Sequence, residues 1–178
     1  VGNCLSINSF AIELQKDHKT IQRWLNILED LFVIFKVTPY SKDISRSIKK
    51  EPKYYFYDSG FVAENDSAKL ENVVACALLK ESHRLLDAEG VAIRLHYLKV
   101  KGGREIDFAL IPESKEYRAS LIEVKTSDTD VSPNFKLFKQ HFKNPKQIQL
   151  VQNITRDFTT ADNVEVMRAS EWLCNFKI

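Results

Sequence analysis

The chain has 178 residues, 26 Lys and Arg against 24 Asp and Glu, a formal net charge of +2 and 44% hydrophobic residues. At roughly 100–200 residues per domain this is one domain or two small ones, with enough apolar residues for a buried core, which excludes global disorder. Near-neutral charge excludes a histone-like polycation but leaves room for a local basic face, and only five Gly and five Pro argue against long flexible linkers.

Ile7, Phe10, Ala11 and Leu14 fall at i, i+3, i+4 and i+7, which predicts a short amphipathic helix over 6–15 with Ser6 as its N-cap. A polar turn follows at 16–19. Ile21, Trp24, Leu25 and Leu28 repeat the helical spacing to about Asp30, so the pair reads as a helix-turn-helix. An apolar β-branched run over 31–37, Pro39, a basic stretch over 42–53 and an aromatic strand over 54–57 complete a winged-helix pattern. The second helix offers Gln22, Arg23 and Asn26 on its polar side. The basic stretch offers Lys42, Arg46, Lys49, Lys50 and Lys53, which suit phosphates better than base edges. A winged helix can equally serve packing or self-association.

Asp58-Ser59-Gly60 breaks the chain. A longer helix is predicted over 67–87, with Leu70, Val74, Ala77, Leu78 and Leu85 on one side and Gly90 at its end. Strands follow over 93–100 and 105–111, joined by Lys101-Gly102-Gly103, a hairpin signal. A further strand covers 120–125. Ser132 and Pro133 look like an N-cap and first helical residue, and Phe135, Phe138 and Phe142 form a core stripe. Strands over 148–153 and 164–167 and a terminal helix or turn at Glu171-Trp172-Leu173 close the chain. The order is α-β-β-β-α-β, an α/β class.

Several chemistries are absent from the pattern. Cys4, Cys76 and Cys174 make no CxxC pair and read as reduced, mostly buried thiols of a cytoplasmic protein. His18, His83, His96 and His141 make no metal-ligand spacing. No run of about 18 apolar residues predicts a membrane span. There is no signal-peptide pattern, and the chain starts as though cut from something longer. No GxxxxGK[ST] occurs, so no ATP site is expected in these residues.

The residues that carry chemistry are Glu71 on the long helix, Gly103-Arg104-Glu105-Ile106-Asp107-Phe108 on one strand and Ile122-Glu123-Val124-Lys125 on the next. Alternation puts Glu105 and Asp107 on one face, with Ile106 and Phe108 on the other, and Glu123 with Lys125 opposite Ile122 and Val124. On neighbouring strands Asp107, Glu123 and Lys125 can converge into a hard-oxygen site suited to Mg²⁺ or Mn²⁺, with a lysine to hold water. The ordinary alternative for Glu123 and Lys125 is a solvated ion pair on a sheet face.

This pattern resembles the PD-(D/E)XK nuclease superfamily. With Thr20-Ile21-Gln22-Arg23-Trp24-Leu25-Asn26-Ile27-Leu28-Glu29-Asp30 and Pro52-Lys53-Tyr54-Tyr55-Phe56-Tyr57-Asp58-Ser59-Gly60, nearly the whole chain resembles the C-terminal region of a family of prokaryotic AAA+ ATPases of uncharacterised function. In that family a P-loop ATPase precedes a winged helix and a PD-(D/E)XK-like domain. The resemblance implies a winged-helix module over 1–59 and a restriction-endonuclease-like mixed central sheet flanked by helices over 60–178. It implies that Asp107 and Glu123 bind Mg²⁺ or Mn²⁺, that Lys125 is the motif lysine and that Glu71 is the helix carboxylate completing the site.

Helical geometry agrees for Glu71, which lies about 20° from Leu78 around the axis. Glu81 is its rival in the same stripe, and Gln140 is a weaker candidate for an added polar residue on the following helix. The expected function is metal-dependent hydrolysis of DNA phosphodiesters. The alternative is an inactive nuclease-fold module that binds DNA or protein for the ATPase. The absent ATPase domain, DNA and a second copy of the chain are the expected partners; a membrane is not.

Overall fold

The computed structural model describes residues 2, 6–41, 51–63, 65–100, 102–127 and 130–176. Caps set the first two helices. Ser6 accepts from the Ser9 N–H at 3.3 Å and starts α1 (Ile7–Glu13). Asp17 accepts from the Thr20 N–H at 3.0 Å and starts α2 (His18–Asp30), so the expected turn is shorter than predicted. Ile21 and Leu25 pack against Ile7, Ala11 and Ile34. Trp24 and Leu28, expected on the same buried face, stay 43% and 37% exposed.

The strand expected from residue 31 begins only at Ile34. Phe32 takes a φ of 55°, and the N–H groups of Phe32 and Val33 turn back to the carbonyls of Glu29 and Leu28. That closure satisfies the helix end and leaves Leu31 and Phe32 on the surface. β1 (Ile34–Pro39) then pairs antiparallel with β2 (Lys53–Phe56). Lys42, Arg46, Lys49 and Lys50 lie outside the described residues.

Asn65 caps α3 (Asp66–Glu89), and Gly90 ends it with a φ of 68°, a conformation in which a side chain would be strained. There follow β3 (Ile93–Lys99), β4 (Glu105–Pro112), β5 (Ser120–Lys125), α4 (Asn134–Phe138), β6 (Lys146–Val151), β7 (Phe158–Thr159), β8 (Val164–Arg168) and α5 (Ala169–Asn175). Among the described residues these strands form one mixed sheet in the order β2-β1-β3-β4-β5-β6-β8-β7. The pairs β1–β3, β5–β6 and β6–β8 are parallel and the rest antiparallel. The fold is therefore α/β, a mixed sheet flanked by helices. Among the described residues no helix is long and apolar enough to cross a membrane.

The sheet separates two apolar layers. On one side α3 and α5 cover Tyr55, Tyr97, Phe108, Ile122, Val124 and Ile148. On the other, α4 places Phe135 and Phe138 against Ile106, Ala109 and Leu121. Pro133, without a side-chain cap bond, precedes α4; the Ser132 N–H instead donates to Gln149 Oε1 at 2.9 Å, so Ser132 is not the cap expected of it. Cys76 is half-buried and donates to the Phe56 carbonyl at 3.2 Å, whereas Cys174 is exposed, against the expectation of buried thiols; Cys4 is outside the described residues.

β2 is locked to α3 by Asn72, which is fully buried. Its Oδ1 accepts from the Phe56 N–H at 2.8 Å, and its Nδ2 donates to the Phe56 carbonyl and the Ser59 hydroxyl, both at 2.9 Å. The side-chain amide thus stands in for a missing neighbour strand. Asn72→Ala leaves the Phe56 N–H unpaired and its carbonyl to the Cys76 thiol, and a loss of about 1–3 kcal/mol is expected in urea unfolding.

Candidate active site

The site forms where β4 and β5 part. Their ladder pairs Leu110 with Ser120, Ala109 with Leu121 and Phe108 with Ile122, and goes no further. Beyond it Asp107 Oδ2 accepts from the Val124 N–H at 2.9 Å, so a carboxylate takes the place of a backbone acceptor. On the other edge of β4 the register shifts: Ala109 faces His96, but Ile106 faces Leu98. Asp107 and Phe108 together stand opposite Tyr97 alone, which is a β-bulge.

The bulge corrects strict alternation. Phe108 packs in the layer under α3 while Ile106 packs in the layer under α4, so these two residues do not share a face. The extra residue turns Asp107 into the fork, and Glu105 reaches the α3 side, where Lys53 meets it.

Glu123 and Lys125 alternate with Ile122 and Val124 and therefore lie on the α4 side of β5. Lys125 Nζ is 3.0 Å from Glu123 Oε1. Glu123 is 4% exposed, and its Oε2 is buried without a hydrogen-bond partner. An unpaired buried carboxylate oxygen is costly, so a solvated surface pair does not describe this residue.

The α3 side of the fork holds residues that the sequence pattern did not single out for the site. Lys53, expected in the basic stretch facing phosphates, is instead the first residue of β2 and only 1% exposed. Its Nζ lies 3.1 Å from Glu105 Oε1 and 3.6 Å from Glu71 Oε1. The Tyr55 hydroxyl donates to Glu71 Oε1 at 2.8 Å, and Lys99 is 3.0 Å from Glu105 Oε2. β1 joins β3 through only two residue pairs, Thr38 with His96 and Pro39 with Tyr97. Although β1 and β3 lie between them in the sheet order, Tyr55 on β2 reaches Phe108 on β4 at a ring separation of 5.6 Å. Alternation could have flagged Lys53: it shares a face with the aromatic Tyr55 two residues on.

Electrostatics follow the geometry. Burial, with the Glu123 and Glu71 carboxylates nearby, pushes Asp107 up to about 8, against the pull of Lys53 and the Val124 N–H. Burial also raises Glu123, and Lys125 opposes it. For Lys53 burial disfavours the charge, yet Glu71, Asp107 and Glu105 outweigh it and hold the ammonium above its ordinary value. Burial works against the Glu105 charge as well, and Lys53 and Lys99 overcome it. Asp107 senses carboxylates on both sides of the sheet, and so stands at the centre of the cluster.

Glu71, Asp107, Glu123 and Lys125 are thus gathered around one fork. Glu81 is buried and bound bidentately by Arg84 at 2.8 Å to each oxygen. Gln140 is exposed in the short turn after α4. On α2, Arg23 is exposed, while Gln22 donates to Asn26 at 3.0 Å.

Comparison with known families gives two matches. Residues 1–72 match a domain of unknown function, DUF8612. Residues 67–172 match another, DUF4143. Among curated proteins and solved structures nothing matches significantly. The second match spans more than half of the 178 residues and contains the whole β4–β5 fork, and the chain belongs to the DUF4143 family.

Proposed function

We propose that the chain carries a metal-dependent DNA phosphodiesterase site of the PD-(D/E)XK kind, in the C-terminal part of a AAA+ ATPase. One observation carries the reading: the buried, unpartnered Oε2 of Glu123 beside the half-buried Asp107. That hard-oxygen pair fits Mg²⁺ or Mn²⁺, with Asp107 and Glu123 as the holding residues and Glu71 flanking them. A bound divalent ion would supply charge stabilisation for the phosphate and a low-pKa water.

The chain's own residues do the rest. Hydrolysis makes one P–O bond from water and breaks another; a proton leaves the water for solvent and one returns to the departing oxygen. Lys125, about one-third exposed, is held by Glu123 with its ammonium placed to orient the water and offset phosphate charge. Asp107 keeps the fork open by holding Val124. α1, α2, β1 and β2 have the element order of a winged helix, and Arg23 with Lys42, Arg46, Lys49 and Lys50 would meet DNA phosphates.

The test is plasmid cleavage with Mg²⁺ or Mn²⁺. Wild type is expected to cut, and Asp107→Ala and Lys125→Ala to lose about 10²–10³-fold or more. Equal rates in all three overturn the assignment. DNA binding retained with no Mn²⁺ heat in titration calorimetry assigns the fold to binding alone.

A further inference from the structure

We infer that Lys53 is a positioning residue of this site, a fixed internal cation that fills the α3 side of Asp107 and so leaves room for a single divalent ion, on the side of Glu123. The inference rests on reading the cluster as a metal site. Four carboxylates, Glu71, Glu105, Asp107 and Glu123, surround the fork together with the ammonium groups of Lys53, Lys99 and Lys125. Four carboxylates would ordinarily suit two cations about 3.5–4 Å apart with a shared ligand between them. Asp107 stands between the two sides: two residues before it on β4, Glu105 meets Lys53, while its own Oδ2 holds the Val124 N–H of β5 next to Glu123.

The two sides are not equivalent. Toward α3 three carboxylate oxygens are already occupied. Glu71 Oε1 takes Lys53 and the Tyr55 hydroxyl, Glu105 Oε1 takes Lys53, and Glu105 Oε2 takes Lys99. Gly2, at a φ of +74°, lies so close to Glu71 that an added Cβ would fall 2.5 and 2.6 Å from its two oxygens. Toward α4 the Glu123 Oε2 is buried and unclaimed. At 1% exposure Lys53 cannot reach a substrate, so it acts through Glu71 and Glu105. An ammonium fixed by two carboxylates, with the Tyr97 ring 5.4 Å away, supplies one positive charge that never has to be loaded from solution.

The experiment counts Mn²⁺ on the full chain by titration calorimetry and by the electron paramagnetic resonance signal of the bound ion. Wild type is expected to bind one Mn²⁺ with no spin coupling to a second. Lys53→Met, which keeps the apolar stem and removes the charge, is expected to bind two, and Lys53→Arg to return the count to one. Glu71→Gln is expected to leave the count at one. Two coupled ions in wild type, or one ion in a folded Lys53→Met protein, overturn the inference while leaving the metal reading standing. No Mn²⁺ bound to wild type removes the metal reading and this inference with it. If circular dichroism shows Lys53→Met unfolded, the wild-type count and coupling decide.

Discussion

Asp107→Asn is expected to abolish Mn²⁺ binding and, without metal, to become steadily more stable relative to wild type as the pH rises from about 5 to about 8. The sign follows from linkage. Burial and two carboxylate neighbours raise Asp107 to about 8 in the folded chain, against about 3.9 when unfolded. Between those values the folded state holds a proton that the unfolded state has released. Wild-type stability therefore falls with rising pH, by up to about 1.4 kcal/mol per pH unit. The contribution of the held proton is complete below about pH 4 and lost above about pH 8. The amide that replaces the carboxyl in Asp107→Asn carries no such proton, and its oxygen can still accept from the Val124 N–H. Saturating Mn²⁺ narrows that gap: wild type gains about 2.7 kcal/mol at a hundredfold excess over Kd, more readily at higher pH, and the variant gains nothing. Melting curves from pH 5 to pH 8.5, with and without Mn²⁺, check both halves. Parallel metal-free profiles for the two proteins would sink the electrostatic account.

The carboxylates of this fork were legible because their neighbours are. Ile122 and Val124 mark β5 as a buried strand, and a charged residue between them needs a reason. Glu71 was legible because α3 is long and periodic. The bulge at Asp107 was not, since an extra residue leaves no mark in a one-strand pattern; only the partner strand reveals that Tyr97 faces two residues. Lys53 was misplaced for a related reason. Its charge groups it with Lys49 and Lys50 in sequence, yet the β1–β2 hairpin turns it inward, and three carboxylates make that burial tolerable. Trp24 and Leu28 show the converse: the apolar stripe of α2 is wider than the surface that α1 and β1 supply to cover it.

A chain shortened to residues 60–178 is expected not to fold cooperatively, although it contains the whole of the DUF4143 match. The cut removes Phe35, Val37 and Tyr55 from the layer they share with Val74, Leu78, Tyr97 and Phe108. Each removal of a large buried side chain costs about 2–5 kcal/mol, and three together rival the whole 5–15 kcal/mol stability of an ordinary domain, to order of magnitude about the same. The same cut leaves Asn72 without Phe56, and Glu71 and Glu105 without Lys53. The two family matches overlap at residues 67–72, inside α3, so the change of family marks no break in the packing. Starting the chain at residue 33 is a different matter. That deletes α1 and all of α2, disturbs the small cluster around Ile21, Leu25 and Ile34 together with the Lys36–Glu29 ion pair and the Phe32–Tyr57 ring contact, and keeps every residue of the fork except Gly2. Urea unfolding followed by circular dichroism is expected to give one cooperative transition for the full chain and for 33–178, at a lower midpoint for the latter, and none for 60–178. A cooperative transition for 60–178 at the full-chain midpoint would show that β1 and β2 merely rest on the sheet.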